Sequence, residues 1–198
     1  VNMPDARDKH AWRTEILARR AAVTPAAQDA DALALADAAG NLELPDCVCA
    51  YVPVRGEPGS TAMLDALRAA GASVLLPVTG PPGPLSWAEY TGSENLRRAV
   101  FGLREPTGEV LPAAAVGRAG LILVPALAVD RRGVRLGRGA GYYDRTLHLA
   151  DREARLVAVI RDDELVDRLP EEPHDRRMGW ALTPHSGLRR LGDDHASE

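Results

Sequence analysis

The residues with the most chemistry in the least chain are Arg135-Leu136-Gly137-Arg138-Gly139-Ala140-Gly141-Tyr142-Tyr143-Asp144-Arg145. Three glycines alternate with an arginine and an alanine, and two tyrosines and an aspartate follow at once. Glycines let the backbone take positive φ and come close to a ligand. Successive N–H groups in such a loop converge into a concavity for an anion. A helix beginning at the loop's end adds unpaired N–H groups and partial positive charge. Arg135, Arg138 and Arg145 add planar forks that match phosphate oxygens. Asp144 is then the odd member. A carboxylate at a phosphate site makes sense when it holds a divalent cation, because Mg²⁺ is bound by one or two carboxylates plus substrate phosphates. The segment is not a P-loop, since no Gly-Lys-Ser/Thr follows. Nor does it have the GxGxxG spacing behind the first strand of a dinucleotide fold.

Other candidates are scattered. Lys9 and Arg13 are four residues apart, so on a helix they point the same way. By themselves they read as a solvated basic face; an anion between them would remove their mild repulsion. Glu57 lies in a loop rich in Gly and Pro, and by position alone is an ordinary surface carboxylate. His174-Asp175 invites a catalytic-pair reading, but no serine or cysteine nucleophile accompanies it. Asp175 is either a turn carboxylate or a second ligand beside Asp144, and His174 a structural or proton-handling bystander. Trp87 and Tyr90 read equally as core filler and as walls for a flat ring.

These side chains need a scaffold, and the pattern supplies one. A first helix is expected over residues 5–23, capped by Asp5, with Trp12, Ile16 and Leu17 near one face. A second starts at Thr24-Pro25 and stops near Gly40. Residues 47–52 read as a buried strand, 53–59 as a loop, and 61–70 as a helix capped by Ser60. Residues 73–78 read as the next strand. That alternation implies a three-layer α/β/α, mostly parallel and open Rossmann-like sheet, with helices on both faces. Ligands in such sheets sit beyond the carboxyl ends of the strands, where the Glu57 loop falls. Residues 85–90 could form a short strand in a hairpin. Residues 94–117 look like a long loop over the site edge. Residues 120–127 are the most apolar strand and the expected centre. Asp130 closes a turn, and could brace the glycine loop through an arginine. A helix over 142–150, a strand over 156–160, a short helix over 165–169 and a strand over 180–183 follow. The tail over 188–198 is expected to fray.

Bulk properties set limits. The 198 residues, 45% of them apolar, suit one domain over 1–198 with a real core. A net charge of -4 argues against a general nucleic-acid binder. No apolar run is long enough for a bilayer, and the polar, charged start leads us to expect no signal peptide. Cys47 and Cys49 alternate on a strand, where a disulfide would be strained. They read as buried thiols of a cytoplasmic protein.

The run RLGRGAGYYDR closely resembles the signature of the 5-formyltetrahydrofolate cyclo-ligase family, also called 5,10-methenyltetrahydrofolate synthetases. KHAWR, with Lys9 and Arg13, is similar to that family's N-terminal basic pair, and GEPGS to its glutamate-bearing loop. FGLREP is similar to its Gly-Ile-x-Glu-Pro element, LVPALAVD to the strand before the glycines, and EEPHD to its late acidic turn. The resemblance runs over about residues 9–184. It implies a sugar-phosphate isomerase/CoA-transferase-like architecture and ATP-dependent conversion of 5-formyltetrahydrofolate to 5,10-methenyltetrahydrofolate. Arg138, Tyr142 and Lys9 would be catalytic. ATP would lie on Lys9, Arg13 and the run Arg135, Leu136, Gly137, Arg138, Gly139, Ala140, Gly141, Tyr142 and Tyr143. The folate would lie on Arg13, Val52, Glu57 at the pterin, Trp87, and Arg138 through Tyr142. Mg²⁺ would lie on Asp144 and Asp175. The partners implied are small molecules, with no nucleic acid and no membrane, on a monomer or weak dimer. Ala140 departs from the family, where lysine or glycine is usual. Two other readings compete. One is a nucleotide- or folate-binding relative without turnover. The other is a sugar-phosphate isomerase or acyl-CoA transferase on a similar fold.

Overall fold

The structure, a computed structural model, describes residues 7–192. Helices α1 (Lys9–Ala21) and α2 (Pro25–Gly40) come first. Strand β1 (Cys47–Cys49), helix α3 (Thr61–Ala69) and strand β2 (Ser73–Val78) make a parallel strand–helix–strand unit. Strand β3 (Ser86–Glu89) then returns antiparallel to β2. Strands β4 (Leu96–Arg98) and β5 (Arg104–Pro106) form a separate hairpin. Next come β6 (Leu121–Pro125), β7 (Ala128–Asp130) and β8 (Arg135–Leu136), then helix α4 (Tyr142–Thr146). Strands β9 (Arg155–Val159), β10 (Leu165–Val166), β11 (Trp180–Thr183) and β12 (Gly187–Arg190) complete the described chain.

Seven strands form the main sheet in the order β12-β11-β9-β6-β1-β2-β3. The five from β11 to β2 are parallel, and the two edges are antiparallel. β6, the most apolar run, is the middle strand, as expected of the strand least able to meet water. Side chains alternate between faces with the period of two that strands impose. Leu121, Leu123, Val157, Val159, Val74 and Leu76 face α2 and α3, where Leu35, Met63, Leu64 and Leu67 cover them. Ile122, Val124, Leu156, Ala158 and Leu75 face a thinner layer built from Ala115, Val116, Ala119 and Leu147. Both faces are thus closed, by full helices on one side and by single helical turns on the other.

Helix α1 packs elsewhere. Trp12 and Ile16 sit against Leu127, Ala128, Val134 and Leu136 of a small sheet in the order β10-β7-β8. Asp8 caps α1, its side chain accepting from Ala11 N at 2.8 Å. The expected cap, Asp5, lies outside the described residues. The turn from β7 to β8 is locked by the fully buried Asp130. Its carboxylate accepts from the backbone N–H groups of Arg132, Val134 and Leu169 and from the Arg132 guanidinium, at 2.7–3.1 Å. Gly133 in that turn has φ +96°, and a Cβ there would stand 2.1 Å from Met178 O, so no other residue fits.

Four expectations need correction. Residues 165–169 hold strand β10 and not a helix: Leu165 and Val166 pair with Val129 and Asp130. The tail expected to fray begins as β12, which pairs with β11 from Trp180↔Arg190 to Thr183↔Gly187; residues 193–198 lie outside the described region. The stretch 94–117 is not structureless: the β4–β5 hairpin and a 3-10 segment at Ala113–Arg118 occupy it. The helix after the glycines is α4, five residues long, continued by one 3-10 turn at Leu147–Leu149.

Candidate active site

A cavity of about 500 Å³ opens at the carboxyl ends of β1, β2 and β6. Tyr51 and Val52 follow β1, Pro77 and Thr79 end β2, and Pro125 and Ala126 end β6; all six line it. This is where an open α/β sheet leaves room for a ligand, since chain reversals splay apart there. Across from the strand ends lie α1, through Lys9 and Arg13, and the glycine loop from Gly137 to Gly141.

The glycine loop takes its shape from two left-handed residues, Gly139 at φ +106° and Gly141 at φ +78°. Space decides as well as torsion: a Cβ on Gly137 would stand 2.9 Å from the Arg135 guanidinium. Arg13 grips the loop from α1, its Nε donating to Gly137 O at 2.8 Å. Arg145 does not line the cavity; it braces the loop from behind, donating to Ala140 O at 3.1 Å and Gly83 O at 3.2 Å. Arg138 is exposed on the loop, lines the cavity, and makes no hydrogen bond or ion pair among the described residues. Because α4 is short, the attraction for an anion rests on these cations and on the loop's N–H groups more than on a helix dipole.

Arg135 is nearly buried. It donates to Pro125 O at 3.0 Å and to Asp144 Oδ1 at 3.3 Å, and lies over the Tyr143 ring. Burial pulls its pKa below the usual arginine value, and Asp144 works against that pull. Lys9 Nζ stands 3.1 Å from Asp175 Oδ2. Asp144, His174 and Asp175 each offer a ligand atom, all within 4.8 Å of one another. Two carboxylates from distant parts of the chain, meeting beside an anion-binding loop, are a suitable donor set for a hard divalent cation.

Glu57 is the acidic group of the opposite wall. Its Oε1 accepts from Val54 N at 3.0 Å. Burial raises its pKa above the usual glutamate value; the Val54 N–H, Arg138 and Arg20 partly offset the rise. Tyr51 is buried here and Tyr143 half-buried with its hydroxyl enclosed, and both phenols are raised well above ordinary tyrosine, first by burial and then by the nearby Glu57.

The fold thus brings together Lys9, Arg13, Val52, Glu57, the whole run from Arg135 to Asp144, and Asp175, all of which line one cavity. Trp87 is the exception. It is fully buried in the core between β3 and the thin layer and does not reach the cavity, so the reading as core filler holds and its expected contact with folate is withdrawn. Several lining residues were not singled out. Arg20 lies seven residues beyond Arg13 on α1, a spacing that returns it to the same face. Glu105 is buried in FGLREP and accepts from Thr79 N at 3.1 Å and Thr79 Oγ1 at 2.7 Å, tying the hairpin to the end of β2. Phe101, with φ 58° and 95% exposed, stands at the cavity's mouth.

Known proteins similar to this chain point to one family. The model of the 5-formyltetrahydrofolate cyclo-ligase family matches residues 5–184. A 5-formyltetrahydrofolate cyclo-ligase of Mycolicibacterium smegmatis is 52% identical over 191 residues, covering 93% of this chain and 98% of the relative. The enzyme of the same name from Escherichia coli is 31% identical, covering 69% of this chain and 77% of the relative. The solved structure of Aquifex aeolicus 5,10-methenyltetrahydrofolate synthetase superposes with a TM-score of 0.74 at 26% identity, covering 96% of each chain. With a cavity built from the family's own motifs and a relative matching it almost end to end, the chain belongs to the 5-formyltetrahydrofolate cyclo-ligase family.

Proposed function

We propose that the protein closes 5-formyltetrahydrofolate to 5,10-methenyltetrahydrofolate at the expense of ATP, releasing ADP and phosphate. The observation that carries the reading is the convergence of the glycine loop, the Lys9–Arg13 face of α1, the Asp144–Asp175 pair and Glu57 on one cavity. The first three suit a triphosphate and its cation, and Glu57 suits a neutral heterocycle that displays N–H groups.

The chemical difficulty lies in the formyl oxygen, a poor leaving group, and in N10, a weak nucleophile. Transfer of the γ-phosphoryl group to the formyl oxygen turns that oxygen into part of a phosphate. N10 then attacks the formyl carbon, its proton is lost, and phosphate departs with the oxygen. Such a reaction asks a protein for alignment and charge neutralisation more than for covalent chemistry. The N–H groups of residues 137–141 cradle phosphate oxygens, and Arg138, Arg13 and Lys9 supply the cations. Arg138, which makes no hydrogen bond or ion pair among the described residues, can follow the phosphoryl group as it moves. Tyr142 and Val52 flank the reacting end, and Glu57 takes the 2-amino pyrimidine edge of the pterin through its two oxygens. Asp144 and Asp175 would hold Mg²⁺, which supplies charge neutralisation of the triphosphate. Ala140 puts no cation at its own place in the loop; Arg138 on the same loop and Lys9 across the cavity are the cations available.

The test is a continuous assay with 5-formyltetrahydrofolate, ATP and Mg²⁺, following methenyltetrahydrofolate by its near-ultraviolet absorbance. Product that requires ATP is the expected result. Nucleotide binding without product would leave a binding protein, and an ATP-independent isomerase or acyl-transfer activity would overturn the reading.

A further inference from the structure

The loop that carries Glu57 is held by surprisingly little. Within it, Glu57 N donates to Val54 O at 2.9 Å and Val54 N donates to Glu57 Oε1 at 3.0 Å, both local contacts. Among the described residues, one hydrogen bond reaches residues 53–59 from another element. It comes from Arg161, whose Nη1 donates to Gly56 O at 3.1 Å. Gly56 is the residue before Glu57 and has φ +88°, so its carbonyl direction sets where the Glu57 side chain starts.

Arg161 is itself held on every side. Its side chain is only 8% exposed, and its Nε pairs with Asp31 Oδ2 of α2 at 3.1 Å. Its backbone N–H donates to Glu164 Oε1 at 2.8 Å. Glu164 in turn pairs with Arg20 of α1 at 2.7 Å and 3.0 Å, and both partners are buried. Arg20 Nη2 finally donates to Ala126 O at 2.7 Å, at the end of β6. Arg20, Glu164 and Arg161 thus form a buried chain from the helix that bears Lys9 and Arg13 to the loop that bears Glu57, and Asp31 of α2 pairs with Arg161 from the side. Buried charges of this kind are costly and seldom add net stability over an apolar packing, whereas they do fix geometry. Arg161 and Glu164 fall outside every motif of the glycine-loop site, and neither lines the cavity.

We propose that Arg161 is a positioning residue for folate recognition: through Gly56 O it fixes the loop from which Glu57 meets the pterin, and the Arg20–Glu164 pair fixes Arg161. This rests on the proposed cyclo-ligase reading. Because a charged donor to a backbone carbonyl is a strong and directional bond, its loss should show in folate affinity and leave nucleotide affinity alone.

The experiment is steady-state kinetics on the full chain, with KM for 5-formyltetrahydrofolate and for ATP measured separately. Arg161→Lys keeps the charge but cannot span Asp31 and Gly56 together. It should raise the folate KM about tenfold, with the ATP KM within about twofold of wild type. Asp31→Asn, which loosens the guanidinium without shortening it, should raise the same KM about threefold. In a double-mutant cycle, Arg161→Lys on a Glu57→Gln background should add almost nothing, because both changes act at the same contact. Unchanged folate KM in both single variants overturns the proposal. So does a rise of both KM values together, or simple additivity in the cycle, since each is the mark of general loosening. An inactive wild type would instead count against the cyclo-ligase reading itself, so the two failures remain distinct.

Discussion

At the scale of single residues, two arginines of one loop differ in how far the protein already engages them. Arg135 and Arg138 are three residues apart on one loop, yet Arg135 is spent on Pro125 O and Asp144 while Arg138 is free among the described residues. Arg138→Ala should therefore lower turnover about 100-fold, the usual loss for one donor to developing charge. It should change stability by no more than about 0.5 kcal/mol, as exposed substitutions do. Turnover and chemical denaturation check the two halves. Asp144→Asn removes a carboxylate from the Asp144–Asp175 pair and the partner of a nearly buried arginine. It should raise the Mg²⁺ concentration needed for half-maximal rate and cost about 1 kcal/mol of stability, the scale of a partly exposed pair. Glu57 gives a prediction in pH. Burial raises its folded pKa, so the ionised form is the penalised one. The stability it contributes is complete below the ordinary glutamate value and is lost as pH rises through the folded value. Glu57→Gln, which cannot ionise, should consequently melt no lower than wild type at neutral pH and gain on it as pH rises out of the acid range. The same variant should bind folate far more weakly. Thermal melts across pH, beside a folate titration, would expose an error if the variant lost stability and kept its affinity.

At the scale of elements, the glycine loop is only as well placed as the strands that deliver it. Asp130 closes the turn before β8 by accepting three backbone N–H groups and a guanidinium while fully buried. Asp130→Asn turns one acceptor oxygen into a donor facing donors. The expected cost is about 3 kcal/mol, that of breaking a buried charged network. The ATP KM should rise with it, because β8 leads directly to Gly137. Urea denaturation and kinetics on the same preparation test both. That Asp130 belongs to a turn was legible in the sequence, since Asp-Arg-Arg-Gly is turn chemistry, but the arginine it meets is Arg132 of that same turn and not one that braces the glycine loop. The long apolar strands and the capped helices were legible for the same local reasons: Thr24-Pro25 opens α2 and Ser60 opens α3. What could not be read were elements made by partners distant in the chain. Leu165 and Val166 form a strand only because Val129 and Asp130 lie beside them. The two strands of the β4–β5 hairpin are arginine-rich and carry no β-branched residue, so nothing local announces them. Trp87 posed a choice that alternation cannot settle without the identity of each face. The structure places it against Ala115 and Val116 and sends Tyr90 to the other face, where its hydroxyl meets Asp65 at 2.7 Å.

At the scale of the whole molecule, the cavity lies where separately packed parts meet. The main sheet supplies Val52 and Thr79, the small sheet and α1 supply Leu136, Lys9 and Arg13, and the hairpin supplies Glu105. Direct ties across this junction include Arg13 to Gly137 O, Arg20 to Glu164 and Ala126 O, Arg135 to Pro125 O, Lys9 to Asp175, and Glu105 to Thr79. A triphosphate on the loop and α1, and a pterin on Glu57, would add ties between the same parts, so ligands should stabilise the protein as a unit. At a free concentration about 100 times its Kd, a ligand that binds only the folded state adds about 2.7 kcal/mol. For a chain of this size that is a rise in melting temperature of roughly 5–10 °C. A non-hydrolysable ATP analogue with Mg²⁺ should produce such a rise, and chelation of the metal should abolish most of it, because Asp144 and Asp175 would then face the phosphates with no divalent cation between them. The shift from 5-formyltetrahydrofolate should survive chelation, since the Glu57 end of the cavity needs no cation. Glu57→Gln should remove the folate shift and spare the nucleotide shift, and Arg138→Ala should do the reverse in larger part. If instead chelation erased both shifts equally, the metal would be holding the junction together and not the nucleotide, and the division of the cavity into a phosphate end and a pterin end would have to be abandoned.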